Sequence, residues 1–480
     1  MFVARGISAF TGLLFTVMVA KWLDASSFGV WEVILTLVTL SGYPVGVVTF
    51  WATRDVARGR MAGRTAMLAG TLLSGLGIAL YFGFTFFTYS RIASSILPFL
   101  LGSLLVPLSY WSGITNSIVS GFKPGVYGYS LLISEAAKLS VAYEALFVYQ
   151  EGIEGVILAL IASYFVQSAV STYFVRLTFS EHFEAARLRR WTRLAWLPAF
   201  SNLSTMVAIA DTYVAALFFG TTLVGYYQVA FLIAGIVGYT SSLTIAAYPL
   251  LLRGGSERIP AVVMEFVLLF SIPMAAGCIA IPGPILHLFR PEYAVGAEGL
   301  SILGVMSLFF TISGVLDQTL LGTEKADATE RPRFRDLLRS NLLFVPVANT
   351  LYALTYVGSL YLVLSYGTEH SFSMPSLVAA WATVQLLATV VYVVVKARRA
   401  RRFAKLMPGV GPVHYLMAAG VMAVVVYAIA PVVAAQNLGT LAYGVRLLGL
   451  VFLAAVVYFG LVFALDRKFR DLTRSLTRRI

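Results

Sequence analysis

Gly29-Val30-Trp31-Glu32-Val33 is followed, 196 residues later, by the similar stretch Gly225-Tyr226-Tyr227-Gln228-Val229, and this repeat decides the fold. At the same offset, Gly42-Tyr43 matches Gly238-Tyr239 without a gap. A second match, at an offset of 201, aligns Gly113-Ile114-Thr115-Asn116 with Gly314-Val315-Leu316-Asp317, and Gly121 with Gly322. Each match is short, but two matches with similar offsets indicate that the second half of the chain repeats the first.

The repeat lies within fourteen apolar segments, each long enough to cross the roughly 30 Å hydrocarbon core of a membrane. The predicted spans are 2–23, 28–52, 65–89, 92–119, 126–149, 154–178, 194–219, 223–251, 260–283, 294–322, 338–366, 374–396, 412–434 and 442–465. Hydrophobic residues make up 59% of the chain and charged residues 12%, which is typical of a multi-pass membrane protein rather than a soluble one.

The two matches join spans that are six apart in the chain. Because six is an even number, the two copies have the same orientation in the membrane, as in transporters built from parallel repeats. We therefore predict an all-α polytopic membrane protein with about fourteen transmembrane helices. Its parts are an N-lobe of six helices at 1–178, a parallel C-lobe of six at 194–396, two further helices at 412–466, and a basic tail at 467–480.

The positive charges alternate with the spans. Of the 35 Lys and Arg residues, 30 lie in or beside the termini and the gaps after even-numbered spans, and three (Lys21, Arg91 and Arg290) lie in or beside the other gaps. Cytoplasmic loops collect Lys and Arg, so both termini are predicted to be cytoplasmic in the plasma membrane. The net charge of +13 is spread over short loops, which argues against a nucleic-acid partner and leaves membrane lipids as the surroundings.

Metal and disulfide chemistry are not expected. The single cysteine, Cys278, lies within a predicted span, and the four histidines are scattered without metal-ligand spacing. We predict no metal and no cofactor.

Several stretches resemble a known family of transporters. Leu23-Asp24-Ala25-Ser26-Ser27-Phe28-Gly29-Val30-Trp31 resembles the turn between the first two helices of polysaccharide-transporter flippases, the Wzx-like branch of the multidrug/oligosaccharidyl-lipid/polysaccharide (MOP) exporter superfamily. Arg54-Asp55-Val56-Ala57-Arg58 resembles the basic motif that closes the second helix of that family. Further similar stretches are Phe219-Gly220, Val224-Gly225-Tyr226-Tyr227, Tyr248-Pro249 and Phe289-Arg290-Pro291-Glu292-Tyr293. The likeness covers roughly residues 1–330 and departs from the family at Asp24-Ala25, where the family usually has glycine.

The resemblance implies a function. Members of the superfamily have two six-helix lobes around a central cavity, and they move lipid-linked sugars to the outer leaflet by alternating access. By this likeness the chain is expected to translocate a polyprenyl-(pyro)phosphate-linked oligosaccharide for surface polysaccharide or glycoprotein assembly. We expect a monomer without catalytic residues, driven by H⁺, Na⁺ or the membrane potential, that can associate with glycan-assembly enzymes.

Three other functions are alternatives for a chain of this kind. A lipid II-type flippase and a multidrug or cation antiporter belong to the same superfamily and stay open. A membrane glycosyltransferase or polymerase is disfavoured, because such enzymes have long outer loops with paired acidic residues. The predicted outer loops of this chain are very short and contain no Asp-x-Asp sequence.

Arginines at the inner ends of the spans are candidate substrate ligands. The planar guanidinium group binds two phosphate oxygens at once and stays charged. Arg5 and Arg54 lie at the inner ends of the first two spans, where related lipid II flippases hold a pyrophosphate with arginines, and Arg253 is the counterpart in the second lobe. Each of the three also fits an ordinary anchor at the membrane interface.

Ionisable residues within spans form a second set of candidates, because such groups are costly in a bilayer unless they are paired, hydrated or functional. Glu135 and Lys138 are three residues apart, share a helix face and can pair. Asp211 and Asp317 are candidates for a proton- or Na⁺-responsive switch.

Glu32 and Gln228 occupy equivalent positions of the repeat, near the predicted outer ends of the second and eighth spans. Their equivalence predicts a hydrogen bond between the lobes that closes an outer gate, although simple exposure at the outer interface also accounts for them.

Overall fold

The computed structural model describes residues 2–57, 59–92, 95–240, 258–324, 340–406, 409, 411–433, 440–467, 469 and 470. Within these ranges the chain is helical and contains no β-strand. In the described ranges the α-helices are α1 (Phe2–Trp22), α2 (Ala25–Gly42), α3 (Val45–Ala57), α4 (Gly63–Ile92), α5 (Leu97–Phe122), α6 (Pro124–Tyr143), α7 (Ile153–Val175), α8 (Ala185–Arg193), α9 (Trp196–Phe219), α10 (Thr221–Gly238), α11 (Ile259–Ala280), α12 (Pro282–His287), α13 (Ala297–Gly322), α14 (Asn341–Glu369), α15 (Met374–Ala400), α16 (Gly411–Val433) and α17 (Thr440–Leu465). The described residues also include a π-helix (Glu144–Val148) and the 3₁₀ helices Arg176–Phe179 and Pro291–Gly296.

The predicted fold class, an all-α multi-pass membrane protein, is confirmed. In the described part of the chain, twelve helices are long and apolar enough to cross a membrane. Helices α1 and α6, of 21 and 20 residues, lie at the remaining two predicted spans. Two details differ from the prediction: the basic segment 179–193, expected to be a loop, contains the short helix α8, and the span 28–52 is divided into α2 and α3. The end of the predicted span 223–251 lies outside the described residues.

The chain forms two compact units, Met1–Gly225 (unit 1) and Tyr226–Ile480 (unit 2). In unit 1, α3, α4 and α5 pack around a core that includes Val48, Ala66 and Ile118, and Trp191 of α8 closes this core. In unit 2, α11, α13, α14 and α15 share a core around Val267, and α16 and α17 pack on the other face of α11. The lobe boundaries predicted from the repeat divide the chain at a different place, and they stay a prediction.

A proline divides the second predicted span. Pro44 has no N–H to donate to the preceding turn, and α2 accordingly ends at Gly42. At the break, the buried Tyr110 of α5 donates its hydroxyl to the carbonyl oxygen of Ser41 at 2.8 Å. A side chain of a neighbouring helix thus supplies a hydrogen bond that the interrupted helix lacks, as backbone inside a membrane requires.

A similar arrangement attaches the C-terminal helices. Pro273 lies inside α11 and leaves the carbonyl group of Leu269, four residues earlier, without its helical partner. The hydroxyl of Tyr458, a residue of α17 that is completely buried, donates to this carbonyl oxygen at 2.7 Å. The tyrosine therefore both fills the interface between α11 and α17 and satisfies the backbone group that the proline exposes.

Tyr458→Phe is expected to lower the free energy of unfolding by about 1–3 kcal/mol, because it leaves a buried carbonyl group without a donor. Thermal unfolding of the purified protein in detergent measures the effect. Tyr427→Phe is the matched control, since Tyr427 lies on the exposed face of the neighbouring α16, with 71% of its surface accessible. Equal melting temperatures for the two variants would show that the Tyr458 hydrogen bond contributes nothing to stability.

Candidate functional site

A polar cavity of about 410 Å³ lies within unit 1. Small and polar side chains of α3, α5 and α9 form most of its wall, and two aromatic rings complete it. The lining residues are Gly46, Thr49, Phe50, Thr53, Gly113, Asn116, Ser117, Ser120, Tyr127, Pro198 and Asn202. Hydroxyl and amide groups beside aromatic faces are the kinds of group that can bind a sugar.

The hydroxyl groups of this wall are oriented by hydrogen bonds to backbone carbonyl groups of α3 and α5. Thr53 donates to the carbonyl oxygens of Thr49 (2.9 Å) and Ser117 (3.2 Å), and Ser120 donates to that of Asn116 (2.7 Å). A hydroxyl that donates to the backbone keeps its oxygen as an acceptor. The cavity therefore presents fixed acceptors to a ligand that carries hydroxyl donors.

A buried network supports the cavity from behind. Ser112 donates to Oε1 of Gln167 at 2.9 Å, and the side-chain amide of Asn116 donates to Ser112 at 3.1 Å. Ser171 donates to Oδ1 of Asn116 at 3.3 Å. Asn116 is thereby held between α5 and α7 by both ends of its amide group.

Of the three candidate arginines, the structure describes the side chain of Arg54 alone. Arg54 is exposed at the end of α3, and its guanidinium carbon lies 4.5 Å from the ring centre of Phe50, a residue of the cavity wall. The side chain of Arg5 and the whole of Arg253 lie outside the described residues. The three phosphate-binding roles stay predictions.

The second half of the repeat contains a charged counterpart of the Asn116 network. The offset that aligns Asn116 with Asp317 also aligns Ser112 with Ser313. In unit 2, Lys396 of α15 forms an ion pair with Asp317 of α13 at 2.5 Å and donates to Ser313 at 2.9 Å. The side chain of Lys396 is 1% exposed, and its ammonium nitrogen lies 3.9 Å from the ring centre of Tyr392.

Lys396 was not predicted as a site residue. It is the last residue of the twelfth predicted span, so its charge was assigned to the basic loop that follows. The signal that identifies it is the repeat itself: an aspartate that replaces the asparagine of the first copy needs a cation nearby. The structure thus places one neutral and one charged polar cluster at equivalent positions of the two copies.

The predicted Glu135–Lys138 pair forms, with 2.7 Å between the ammonium nitrogen and the carboxylate. Glu135 also accepts hydrogen bonds from Ser8 (3.2 Å) and Thr11 (2.7 Å) of α1. The buried carboxylate has three donors, and the pair therefore joins α1 to α6.

Asp211 is buried in α9, and its carboxylate accepts hydrogen bonds from the backbone N–H (2.5 Å) and the hydroxyl (3.1 Å) of Thr212. Glu32 in α2 and Gln228 in α10 are both partly buried. The proposed switch and gate roles of these residues stay predictions.

Sequence reasoning also missed the position of Asp55. Its side chain is 2% exposed and accepts hydrogen bonds from Arg190 (2.5 and 2.7 Å) and from the indole N–H of Trp191 (3.0 Å). This contact fastens α8 to the end of α3. An acidic residue within a run of arginines at the end of a predicted span is the signal that indicates such a contact.

Among the described residues, no group of His, Cys, Asp or Glu side chains is arranged to hold a metal ion.

Comparisons with known proteins identify the fold. No protein-family model matches the chain. The probable flippase AglR of Haloferax volcanii is 23% identical over 332 residues, which cover 64% of this chain and 67% of AglR. The solved structure of the lipid II flippase MurJ, in an inward closed conformation, superimposes with a TM-score of 0.69 at 13% identity and covers 98% of this chain and 99% of MurJ. An inward-facing multidrug resistance MATE transporter of the MOP superfamily superimposes with a TM-score of 0.60 at 13% identity, covering 82% of this chain and 95% of the transporter.

These superpositions show that the chain has the fold of MOP-superfamily transporters, and the resemblance seen in the sequence is confirmed at that level. The MurJ superposition extends over nearly the whole chain, so the two C-terminal helices α16 and α17 belong to the shared fold.

Proposed function

We propose that this protein moves a polyprenyl-(pyro)phosphate-linked oligosaccharide from the cytoplasmic to the outer leaflet of the plasma membrane by alternating access. The observation that carries the proposal is the polar cavity of unit 1, whose hydroxyl, amide and aromatic groups suit a glycan. Support comes from the name of the relative AglR, a probable flippase, and from the superposition on a lipid II flippase. The lipid tail of such a substrate stays in the apolar surroundings while the sugars cross.

The proposal includes no covalent step, no metal and no cofactor. The transporter binds the glycan in one state and releases it in the other, and only a difference in affinity between the two states drives the cycle. A proton, a sodium ion or the membrane potential supplies that difference, with Asp211 and Asp317 as the proposed points of action. The termini face the cytoplasm, the monomer is the working unit, and glycan-assembly enzymes are its proposed neighbours.

Arg54 is the proposed ligand of the substrate phosphate, because its guanidinium group stands beside the cavity wall at Phe50. Charge-assisted hydrogen bonds of this kind contribute about 1.5–3 kcal/mol. We therefore expect Arg54→Ala to weaken substrate binding by roughly tenfold to a hundredfold, and Arg54→Lys to restore only part of the loss, since lysine lacks the planar fork.

The test uses proteoliposomes that contain lipid-linked oligosaccharide extracted from the source cells. Periodate added outside oxidises the sugars that reach the outer surface, so the oxidised fraction over time gives the rate of transport. Arg64→Ala is the matched control, since Arg64 is an exposed arginine in the first turn of α4 that does not line the cavity. If the wild-type protein leaves the sugars as protected from periodate as they are in liposomes without protein, the proposed function is contradicted. Equal rates for Arg54→Ala and Arg64→Ala would contradict only the role of Arg54.

A further inference from the structure

A long apolar groove lies between α14 and α15, both of which belong to unit 2. Its volume is about 590 Å³. The α14 side is a stripe at helical spacing from Phe344 through Leu351 to Val363, and the α15 side includes Leu387 and Val391. Leu351, Leu387 and Val391 are between 57% and 65% exposed, so the groove is open along its side.

At one end, the groove continues into a basic pocket of about 540 Å³. Phe344 and Val347 line both spaces, which makes them one continuous surface. The polar part of the pocket comes from Ser340, Arg399 and Arg402. The two ends of this surface therefore differ in chemistry: one is cationic and the other is hydrocarbon-like.

The two arginines are placed to act together. They are three residues apart and share one face of the chain at the end of α15. Arg399 donates from Nε to Oδ1 of Asn341 at 2.7 Å, and its guanidinium carbon lies 4.3 Å from the ring centre of Phe344. Arg399 is thus held in a fixed position, while Arg402 is exposed beside the same pocket. Paired guanidinium groups are the usual protein ligands of phosphate.

We propose that the groove and the pocket together bind an isoprenoid phosphate lipid, with the phosphate between Arg399 and Arg402 and the chain along α14 and α15. The length of the groove favours an isoprenoid chain. At 1.5 Å of rise per residue, α14 extends roughly 28 Å from Phe344 to Val363. An acyl chain of a phospholipid stays within one leaflet, about half of a 30 Å core, whereas a long isoprenoid chain fills the whole groove.

This site goes beyond the proposed function, since it concerns the lipid carrier without its sugars and uses no residue of the polar cavity. We expect unit 2 to bind the phosphate and the chain of the lipid carrier, whether or not a glycan is attached to the carrier.

The experiment titrates the full-length protein, in nanodiscs of phosphatidylcholine, with undecaprenyl phosphate and counts bound lipid by native mass spectrometry. We expect Arg402→Ala to weaken binding about tenfold or more, as loss of a charge-assisted contact does. Arg401→Ala is the matched control: it removes the same charge from the neighbouring position, which does not line the pocket. Farnesyl phosphate, which is too short for the groove, and undecaprenol, which lacks the phosphate, should each bind at least about tenfold more weakly.

Three results would overturn the proposal. Equal losses in Arg402→Ala and Arg401→Ala would mean that general positive charge attracts the lipid. Equal binding of farnesyl phosphate would mean that the groove does not hold the chain. Displacement of undecaprenyl phosphate by an equal amount of phosphatidylglycerol would identify an ordinary phospholipid site. Because the probe carries no sugar and no transport is measured, none of these results bears on the proposed function.

Discussion

Lys396→Met is expected to destabilise the protein by about 3–5 kcal/mol, the usual effect of removing one partner from a buried ion pair. Lys396 is almost completely buried, and its ammonium group bonds both Asp317 and Ser313. Methionine has a similar shape but no charge, so the variant leaves the Asp317 carboxylate without its counterion. Thermal unfolding in detergent should show a clearly lower melting temperature.

The repeat offers a matched control for this variant. Asp317→Asn combined with Lys396→Gln replaces both charges by neutral amides, the kind of group that Asn116 and Gln167 supply in the network of unit 1. Removing both charges leaves no buried ion without its counterion, which is the main cost of breaking such a pair. We expect the free energy of unfolding of the double variant to lie within about 1 kcal/mol of the wild-type value. Its melting temperature should therefore be well above that of Lys396→Met. If Lys396→Met and the wild type have the same melting temperature, the ion pair does not stabilise unit 2.

The double variant also tests the proposed coupling at Asp317. A stable protein without the two charges, assayed with periodate as above at several pH values and Na⁺ concentrations, separates stability from ion dependence. Transport that keeps the wild-type ion dependence would remove Asp317 from the coupling mechanism and leave Asp211 as the proposed site.

Gly29→Ala is also expected to lower the stability of the protein strongly, because there is no room for a side chain at Gly29 of α2. A Cβ atom at Gly29 would overlap the carbonyl oxygen of Thr221, and one at Gly225 would overlap the carbonyl oxygen of Ala25. These are backbone atoms and cannot rotate away, so the helices must separate. Overpacking of this kind costs about 1–3 kcal/mol and sometimes more, and we expect the upper end here. The hydrogen bond between the hydroxyls of Ser26 and Thr221, at 3.1 Å, would be lost with it.

Gly75→Ala is the control for this prediction. Gly75 also lies inside a transmembrane helix, α4, but no atom lies within 4 Å of an added Cβ. Alanine is a better helix former than glycine, so this variant should be unchanged or slightly more stable. Melting temperatures of Gly29→Ala and Gly225→Ala that match that of Gly75→Ala would show that the close approach of α2 to the start of α10 is not required.

The membrane spans could be predicted from the sequence because crossing a bilayer depends on length and composition, which are local properties. The matched glycines, Gly29 and Gly225, were likewise visible as a repeat, and the structure explains them by one close helix contact. What could not be predicted depends on which helix faces meet. Asp55 and Lys396 look like parts of basic segments, and only tertiary packing shows that both are buried and paired.

The polar cavity was beyond sequence reasoning for the same reason. Its hydroxyl residues, such as Thr49, Thr53 and Ser120, are common in membrane helices and carry no motif. Asn116 was part of the repeat alignment, but it is uncharged and was therefore not predicted as a site residue. Residues that are costly in a membrane were predicted as candidates, whereas inexpensive polar residues that form a site together were not.

The break at Pro44 separates the direction of α3 from that of α2. A continuous helix resists bending because several backbone hydrogen bonds must stretch together. Between α2 and α3 that ladder is already interrupted, and the Tyr110 hydroxyl provides a hydrogen bond from outside it. The direction of α3, which carries Thr49 and Thr53 of the cavity wall, is therefore set by its packing on α4 and α5 and by the contact of Asp55 with α8.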